Sequence, residues 1–180
     1  MKVLAFAASN SRNSINKALV TYAKTFLDKH NVEILDINDY DMPIYSSDLE
    51  EALGIPDAAS KFLEKIAEAD ALLISFAEHN GNYTAAYKNL FDWASRKKQH
   101  VYQAKSIVML STSPGPGGAS SVLRLASESA HYFNGNVLAS LSVPNFYDNF
   151  DQEKGELSNL ELTEQLKTAL ATIALDLSIY

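Results

Sequence analysis

The stretch AASNSRNSINKAL, residues 7–19, joins a short apolar segment to the start of a helical pattern. Residues 3–7 are apolar throughout, as expected of a strand buried on both faces. From Ile15 onward, apolar residues recur at the spacing of an amphipathic helix. The polar loop between them either caps that helix or holds an anion. Because caps are far commoner than ligand sites, this loop by itself favours capping.

The alternation of strand and helix continues along the chain. The apolar segments bounded by polar turns predict strands at residues 2–7, 32–37, 70–76, 104–110 and 136–140. Helical periods predict helices at residues 15–27, 59–67, 84–96, 118–133 and 160–177, the last opened by a capping box of Ser158 and Glu161. Residues 40–56 and 147–157 are expected to be connections. Such alternation implies parallel pairing with helices on both faces, so the sequence predicts a doubly wound α/β fold, with residues 1–180 as one domain.

Composition narrows the chemistry and the partners. The chain has no cysteine, which excludes disulfides, thiolate nucleophiles and cysteine-ligated metal sites, and its histidines lack ligand spacing, so no metal site is predicted. No apolar run is long enough for a secretory signal or a bilayer span, so we expect a cytoplasmic protein with no membrane partner. The net charge of −7 and a lone basic cluster at residues 96–98 argue against nucleic-acid binding.

Ligands of doubly wound sheets bind at the carboxyl edge, where three polar loops are predicted to meet. The first loop, residues 9–16, offers serine hydroxyls and the free N–H groups of a helix start, which suit a phosphate monoester. The second follows the third strand with the sequence EHNGNY, residues 78–83. The third, residues 110–118, contains glycines that allow close backbone approach to a ligand. Fold stability does not require all three to be polar, so together they indicate a ligand site.

The first loop lacks the glycines of a dinucleotide fingerprint and has no phosphate-binding GxxxxGK[ST] motif. Three segments resemble instead the NADPH-dependent FMN reductase family, a flavodoxin-like group that includes chromate and quinone reductases and some azoreductases. They are ASNSRNSIN, AEHNGNYTAAYKNLFDWASR and STSPGPGGASSVLRLA, and the resemblance runs through almost the whole chain. It implies a flavodoxin-like three-layer fold, a five-stranded parallel sheet in the order 2-1-3-4-5, bound FMN, NADPH or NADH as co-substrate, and a homodimer or homotetramer.

The resemblance also implies a set of cofactor-binding residues. Those expected around the FMN phosphate are Ser9, Ser11, Arg12, Ser14, Ile15 and Asn16. Those expected to line the isoalloxazine ring are Glu78, His79, Asn80 and Gly81, with Ser113, Gly115 and Gly118 closing its other side. The chain departs from the family pattern at Ala8, Ala77, His79, Thr84 and Ala85. The residues Asn89, Asp92, Trp93 and Arg96 are expected to serve helix packing and a subunit contact.

The activity that the resemblance implies is hydride transfer from NAD(P)H via FMN to a small oxidant, such as a quinone, an azo compound, free flavin or a metal oxyanion. No side chain is assigned as an acid or base, since the flavin carries the chemistry. His79 is the one candidate that titrates near neutral pH, and it is explained more simply as a stacking or solvent-edge residue. Two other classes stay open: an electron carrier with Tyr83, Phe146 and Tyr147 around the ring, and a flavin-free interaction domain.

Overall fold

The computed structural model describes residues 1–176. A parallel sheet lies at its centre, in the strand order β2-β1-β3-β4-β5. Its strands are β1 (Lys2–Ala8), β2 (Asn31–Leu35), β3 (Ala71–Phe76), β4 (Ser106–Thr112) and β5 (Asn136–Val143). This order confirms the one that the family resemblance implies. Among the described residues, no helix combines the length and the apolar character needed to span a membrane.

Helices cover both faces of the sheet. They are α1 (Ile15–Lys24), α2 (Ser47–Leu53), α3 (Asp57–Glu68), α4 (Ala85–Lys97), α5 (Ser120–Ser129), α6 (Phe146–Asn149) and α7 (Leu160–Asp176). The buried side chains of α1 and α7 form one core with the sheet, and those of α3, α4 and α5 form a second core on the other side. β1, β3 and β4 are buried along almost their whole length, as their continuous apolar runs predict.

Several strand bounds differ from the sequence prediction; β5, for example, ends at Val143 and not at residue 140. Two of the differences have a local cause. β2 ends at Leu35, before the predicted residue 37, because the Asp36 carboxylate accepts a hydrogen bond from Asn38 N and starts a short 3-10 turn, Ile37–Tyr40. The predicted strand at residues 104–110 begins later, at Ser106, because Ala104 adopts a left-handed backbone conformation with φ of 62°. β4 ends at Thr112, two residues beyond the predicted end.

The two segments expected to be plain connections contain regular structure. The first holds α2, which starts at the cap Ser46 and ends at Gly54, where φ is 74°. α2 buries none of its residues, so it has no apolar period to reveal it. The second holds α6 and a short antiparallel hairpin, in which Phe150–Asp151 pairs with Glu156–Leu157.

The predicted capping box of the last helix is wrong. The side chain of Asn159, and not that of Ser158, accepts hydrogen bonds from the first-turn N–H groups of Glu161 and Leu162. An amide oxygen at this position caps a helix as well as a hydroxyl does. The predicted end of this helix, Leu177, lies outside the described residues.

The residues singled out on α4 make contacts within their own chain. The Asn89 amide accepts from Tyr45 N and donates to the carbonyls of Met42 and Pro43, and Trp93 Nε1 also donates to Pro43 O, at 2.8 Å. α4 therefore holds down the segment that leads into α2. Two basic residues at its end, Arg96 and Lys97, lie in its last turn, where they complement the exposed carbonyl groups.

Candidate functional site

The first loop enters α1 through a side-chain cap. Ser14 has extended backbone angles, and its Oγ accepts a hydrogen bond from Lys17 N at 3.2 Å. Ser9 Oγ accepts from Ser11 N at 3.3 Å, which folds the loop back on itself. The capping interpretation is therefore confirmed. The cap occupies Lys17 N and leaves the other N–H groups of the first turn of α1 for an anion, so capping and anion binding can coexist in one loop.

Asn16 is the most deeply buried polar residue of this loop. It is 2% exposed, its Oδ1 accepts from Thr112 N and Ser75 Oγ, and its Nδ2 donates to Thr112 O. The side chain ties the start of α1 to the carboxyl ends of β3 and β4. Because the amide oxygen and nitrogen both bond to the strands, we expect Asn16 to offer a ligand its main-chain N–H.

The second loop is a β-hairpin, in which Glu78–His79 pairs with Asn82–Tyr83. Asn80 and Gly81 form its turn with φ of 53° and 74°, the left-handed conformation that a two-residue hairpin turn requires. Sequence reasoning missed this hairpin, although the dipeptide Asn-Gly is its usual signal. The Glu78 carboxylate accepts from Val122 N at 2.9 Å, so it anchors the hairpin to the first turn of α5.

An aromatic cluster supports the hairpin from below. The Tyr83 ring packs against Phe76 and Tyr87, with ring centroids 5.9 and 5.4 Å apart. Burial raises the pKa of the Tyr83 phenol, and it raises that of Tyr87 much further. Both phenols are therefore protonated at neutral pH, and neither is available as a base.

Two of the three glycines of the third loop, Gly118 and Gly115, have different surroundings. Gly118 has φ of 55°, and its carbonyl accepts from Ser111 Oγ and Ser142 Oγ. A Cβ on Gly118 would collide with Ser142 Oγ and press on the backbone at Pro144, so this glycine serves close packing. A Cβ on Gly115 would meet nothing within 4 Å.

The loops after β1, β3 and β4 enclose a pocket of about 240 Å³ at the carboxyl edge. It lies at the topological switch point, where the connections from β1 and β3 diverge. The predicted residues that line it are Ser9, Ser11, Ser14, Ile15, Asn16, Glu78, His79 and Ser113. Four others, Asn80, Gly81, Gly115 and Gly118, lie outside its lining, and Arg12 lines a neighbouring cleft instead.

Sequence reasoning missed several lining residues. Asn13, Ala77, Thr112 and Pro114 are neighbours in sequence of predicted residues, so proximity along the chain was their signal. Tyr147, which only the carrier interpretation placed near a flavin ring, belongs to a fourth loop, the one after β5, which ends at the same edge of the sheet. Phe146, placed with Tyr147 around a flavin ring in the carrier interpretation, is 1% exposed and belongs to the core.

Two of the departures from the family pattern contact each other. Thr84 Oγ1 donates to the carbonyl of Ala8 at 3.1 Å and accepts from Tyr87 N at 3.2 Å. Thr84 thus caps α4 and joins it to the end of β1. His79, another departure, lines the pocket from an exposed position on the hairpin.

The donor set of this pocket fits a phosphate ester. It combines hydroxyl groups with the amino end of a ten-residue helix, and the Glu78 carboxylate is held by Val122 N. A five-stranded doubly wound sheet with such a loop after its first strand defines the flavodoxin-like class. FerB of Paracoccus denitrificans, a flavoenzyme NAD(P)H:(acceptor) oxidoreductase, shares this fold with a TM-score of 0.72, 22% identity, and coverage of 96% of this chain and 95% of its own.

The family follows from the sequence comparisons. The family model for NADPH-dependent FMN reductase matches residues 1–148, so the chain belongs to that family. An NAD(P)H-dependent FMN reductase of Pseudomonas aeruginosa is 34% identical over 119 residues, which are 66% of this chain and 63% of that protein. An NAD(P)H:quinone oxidoreductase of Solanum tuberosum is 30% identical over 184 residues, with 96% of this chain and 91% of that protein covered. The family resemblance seen in the sequence is confirmed.

Proposed function

We propose that this chain transfers electrons from NADPH or NADH, through FMN held at the pocket of the first three loops, to a small oxidant such as a quinone, an azo compound, free flavin or a metal oxyanion. The pocket is the main support for this proposal. Neutral hydroxyl donors and the start of a helix lie together at the switch point of the sheet, in a chain of net charge −7. Neutral donors can bind a phosphate ester, and they leave no unpaired charge in the protein before the ester binds.

Each loop has a distinct task in this proposal. Ser11 and Ser14, with the first-turn N–H groups of α1, would hold the phosphate. The ring would extend beyond the pocket lining, to the main chain of Asn80 and Gly81 and to Gly115. FMN, when bound, supplies the hydride chemistry. The chain orients it through Glu78, whose bond to Val122 N fixes the hairpin against α5. No side chain is proposed as a proton donor or acceptor.

The opening of the pocket sets the kinetic expectation. His79 lies exposed at its rim, and the hairpin leaves this side accessible. The nicotinamide nucleotide and the oxidant would use the same opening in turn. A shared site of this kind predicts ping-pong kinetics, with parallel lines in double-reciprocal plots.

The homodimer or homotetramer implied by the resemblance is part of this proposal. At about 240 Å³, the pocket is smaller than a site that encloses a whole drug-sized ligand, so a second subunit would complete it. A candidate contact is the cleft of about 340 Å³ between α4 and α5, which Phe91, Leu125 and Phe133 line. Sedimentation velocity tests this, with Leu125→Glu expected to shift the protein toward monomer; a monomeric wild type would contradict it. The cytoplasmic location rests on composition alone.

Titration of the apo-protein with FMN tests the phosphate site directly. The double variant Ser11→Ala/Ser14→Ala should weaken FMN binding by roughly 1–3 kcal/mol, because the phosphate loses two hydroxyl contacts. The matched control is Ser46→Ala/Ser47→Ala. Ser46 caps α2 with the geometry that Ser14 has on α1, each Oγ accepting at 3.2 Å, and Ser46 lies outside the pocket lining. Equal FMN affinity in the two double variants would refute the assignment.

Three observations separate the proposed enzyme from the other two classes. A yellow preparation, or FMN uptake on titration, excludes the flavin-free interaction domain. Rapid bleaching of the bound flavin by NADPH, followed by reoxidation with a quinone, supports the reductase. Bleaching that requires a protein donor, and that NADPH alone does not cause, would support the electron carrier.

A further inference from the structure

A second and larger cleft adjoins the pocket. It has a volume of about 610 Å³ and lies between the outer face of α1 and the segment 146–155. Asn13, Ser14, Ile15 and Tyr147 line both cavities, so the two are continuous around the amino end of α1. Its volume falls within the range of about 300–1,000 Å³ that is typical of small-molecule sites. The proposed function leaves this cleft, which we call the α1 groove, without a ligand.

The charges that line the α1 groove are all positive. Arg12 and Lys17 line it, and no Asp or Glu does, although the chain has 22 acidic residues against 15 basic ones. Lys17 Nζ pairs with Asp36 Oδ2 at 2.7 Å, and Asp36 lies outside the lining. Within residues 1–176, Arg12 takes part in no salt bridge. An unpaired guanidinium beside a paired ammonium attracts an anion.

An aromatic side chain stands where the α1 groove meets the pocket. Tyr147 is 58% exposed, far more than the aromatic residues beneath it. Its ring meets Phe146 edge to face at 5.5 Å, and Phe146 stacks on Phe150 at 4.6 Å. A buried pair thus holds an accessible ring in place. Aromatic rings of this kind bind the flat face of a nucleobase.

The remaining polar groups of the α1 groove are neutral. Ser14, Thr21 and Gln152 offer hydroxyl and amide groups suited to the hydroxyls of a sugar. An accessible ring, two cations and neutral donors match a ligand that carries a base, a sugar and phosphates. A bare oxyanion would contact Arg12 and Lys17 but would make no use of the Tyr147 ring.

We propose that the α1 groove binds the adenosine phosphate half of NADPH or NADH, with Tyr147 against the adenine and Arg12 near a phosphate. This inference rests on the proposed function, because the continuity of the two cavities allows one nucleotide to reach both. The nicotinamide half would then enter the opening of the pocket. This proposal also gives Arg12 a function, since Arg12 lines the α1 groove and does not line the pocket.

Calorimetric titration with adenosine 2′,5′-bisphosphate, which lacks the nicotinamide, tests the α1 groove by itself. Wild-type protein saturated with FMN should bind this probe at low ionic strength, and binding should weaken as salt screens the charges. Thr21→Glu places a carboxylate in the α1 groove at an exposed helix position and should weaken binding at least tenfold. The matched control is Thr168→Glu on α7. Both hydroxyls donate to the carbonyl four residues earlier, at 2.8 and 2.9 Å, and Thr168 does not line the α1 groove.

The kinetic counterpart compares two hydride donors. Thr21→Glu should raise the KM for NADPH at least tenfold and leave the KM for reduced nicotinamide mononucleotide, which lacks the adenosine half, within twofold. Thr168→Glu should leave both unchanged. A rise in KM for both donors would overturn the proposal, because it would place the effect at the pocket.

The binding outcomes distinguish this inference from the proposed function. If the protein binds no FMN but binds the bisphosphate with the same loss in Thr21→Glu, the α1 groove stands and the FMN-dependent function falls. If the bisphosphate displaces FMN, it occupies the pocket and the inference is overturned. It is also overturned if wild type fails to bind the bisphosphate at millimolar concentration, or if Thr21→Glu binds it as wild type does.

Discussion

Polar side chains make different contacts at the two ends of the parallel strands, the amino edge and the carboxyl edge of the central sheet. At the amino edge, Lys2 Nζ lies 2.6 Å from Glu68 and 3.2 Å from Glu33, and Lys65 Nζ lies 2.7 Å from Glu33. The charges there bind one another. At the carboxyl edge, the first loop presents hydroxyls and amides around a pocket, and its single guanidinium, on Arg12, lines a cleft.

This difference separates groups that serve the fold from groups that serve a ligand. Exposed ion pairs such as those of the amino edge contribute little stability each, and they leave no net charge to attract a partner. Hydroxyls and N–H groups that face a cavity have hydrogen-bonding capacity to spare. The carboxyl edge is not uniform, however, because Asn16 and Gly118 there are committed to the fold. Substitutions at the two edges can show where this boundary lies.

The largest expected effect is that of Asn16→Ala. The substitution leaves the main-chain N–H and C=O of Thr112 and the hydroxyl of Ser75 without their buried partner. Unpaired buried polar groups are costly, so the free energy of unfolding should fall by about 2–5 kcal/mol. Urea denaturation followed by circular dichroism measures it.

The matched control is Asn13→Ala, three residues earlier in the same loop. Asn13 is exposed and lines both cavities, so its substitution should change the free energy of unfolding by less than about 0.5 kcal/mol. If both variants lost the same unfolding free energy, Asn16 and Asn13 would not differ in their importance for the fold, and the proposed boundary would be wrong.

The next effect concerns Gly118 and Gly115 of the third loop. Gly118→Ala forces a Cβ against Ser142 Oγ at a left-handed backbone position, so it should cost about 2–4 kcal/mol of unfolding free energy. Gly115→Ala has open space and no positive φ, and should change stability by less than about 1 kcal/mol. FMN titration of Gly115→Ala then measures whether FMN binding requires a glycine at position 115. If Gly118→Ala proved the more stable variant, the packing role of Gly118 would be refuted.

The sequence predicted the fold well because the three central strands, β1, β3 and β4, are buried along almost their whole length and show as continuous apolar runs. Shorter apolar segments marked the edge strands β2 and β5, and the alternation of strands with helices indicated the parallel topology. The hairpin at residues 78–83 was missed because each of its strands has only two residues, too few to show alternation. The assignment of residues 1–180 to one domain stays a prediction.

The site was predictable as a set of loops and not as a set of contacts. Position at the carboxyl edge follows from topology, so the three loops were found. The inward turn of Asn16 could not be found, because its partners Ser75 and Thr112 lie 59 and 96 residues away in sequence. The contact of Glu78 could not be found either, because its partner Val122 lies 44 residues away in sequence, on α5. Which of these residues contact FMN stays a prediction.

The smallest expected effect lies at the amino edge, in the pH dependence of Glu33→Gln. A hydrogen bond from Lys65 is the main cause that lowers the pKa of Glu33 in the folded protein, with further support from Lys2. A carboxyl whose pKa is lowered on folding contributes stability above its unfolded pKa and loses it as the pH falls through its folded pKa. Because Glu33 is about one-third exposed, Glu33→Gln should cost less than about 1 kcal/mol at pH 7.

Urea denaturation of both proteins at several pH values checks this expectation. The difference between wild type and Glu33→Gln should be full at pH 7, shrink as the pH falls below the ordinary glutamate value of 4.5, and shrink also in 1 M salt. Glu64→Gln on α3, at an exposed position with no salt bridge in the described part of the chain, should show neither trend. A difference that stays constant with pH would mean that Glu33 acts through packing, and that the amino edge does not owe its stability to paired charge.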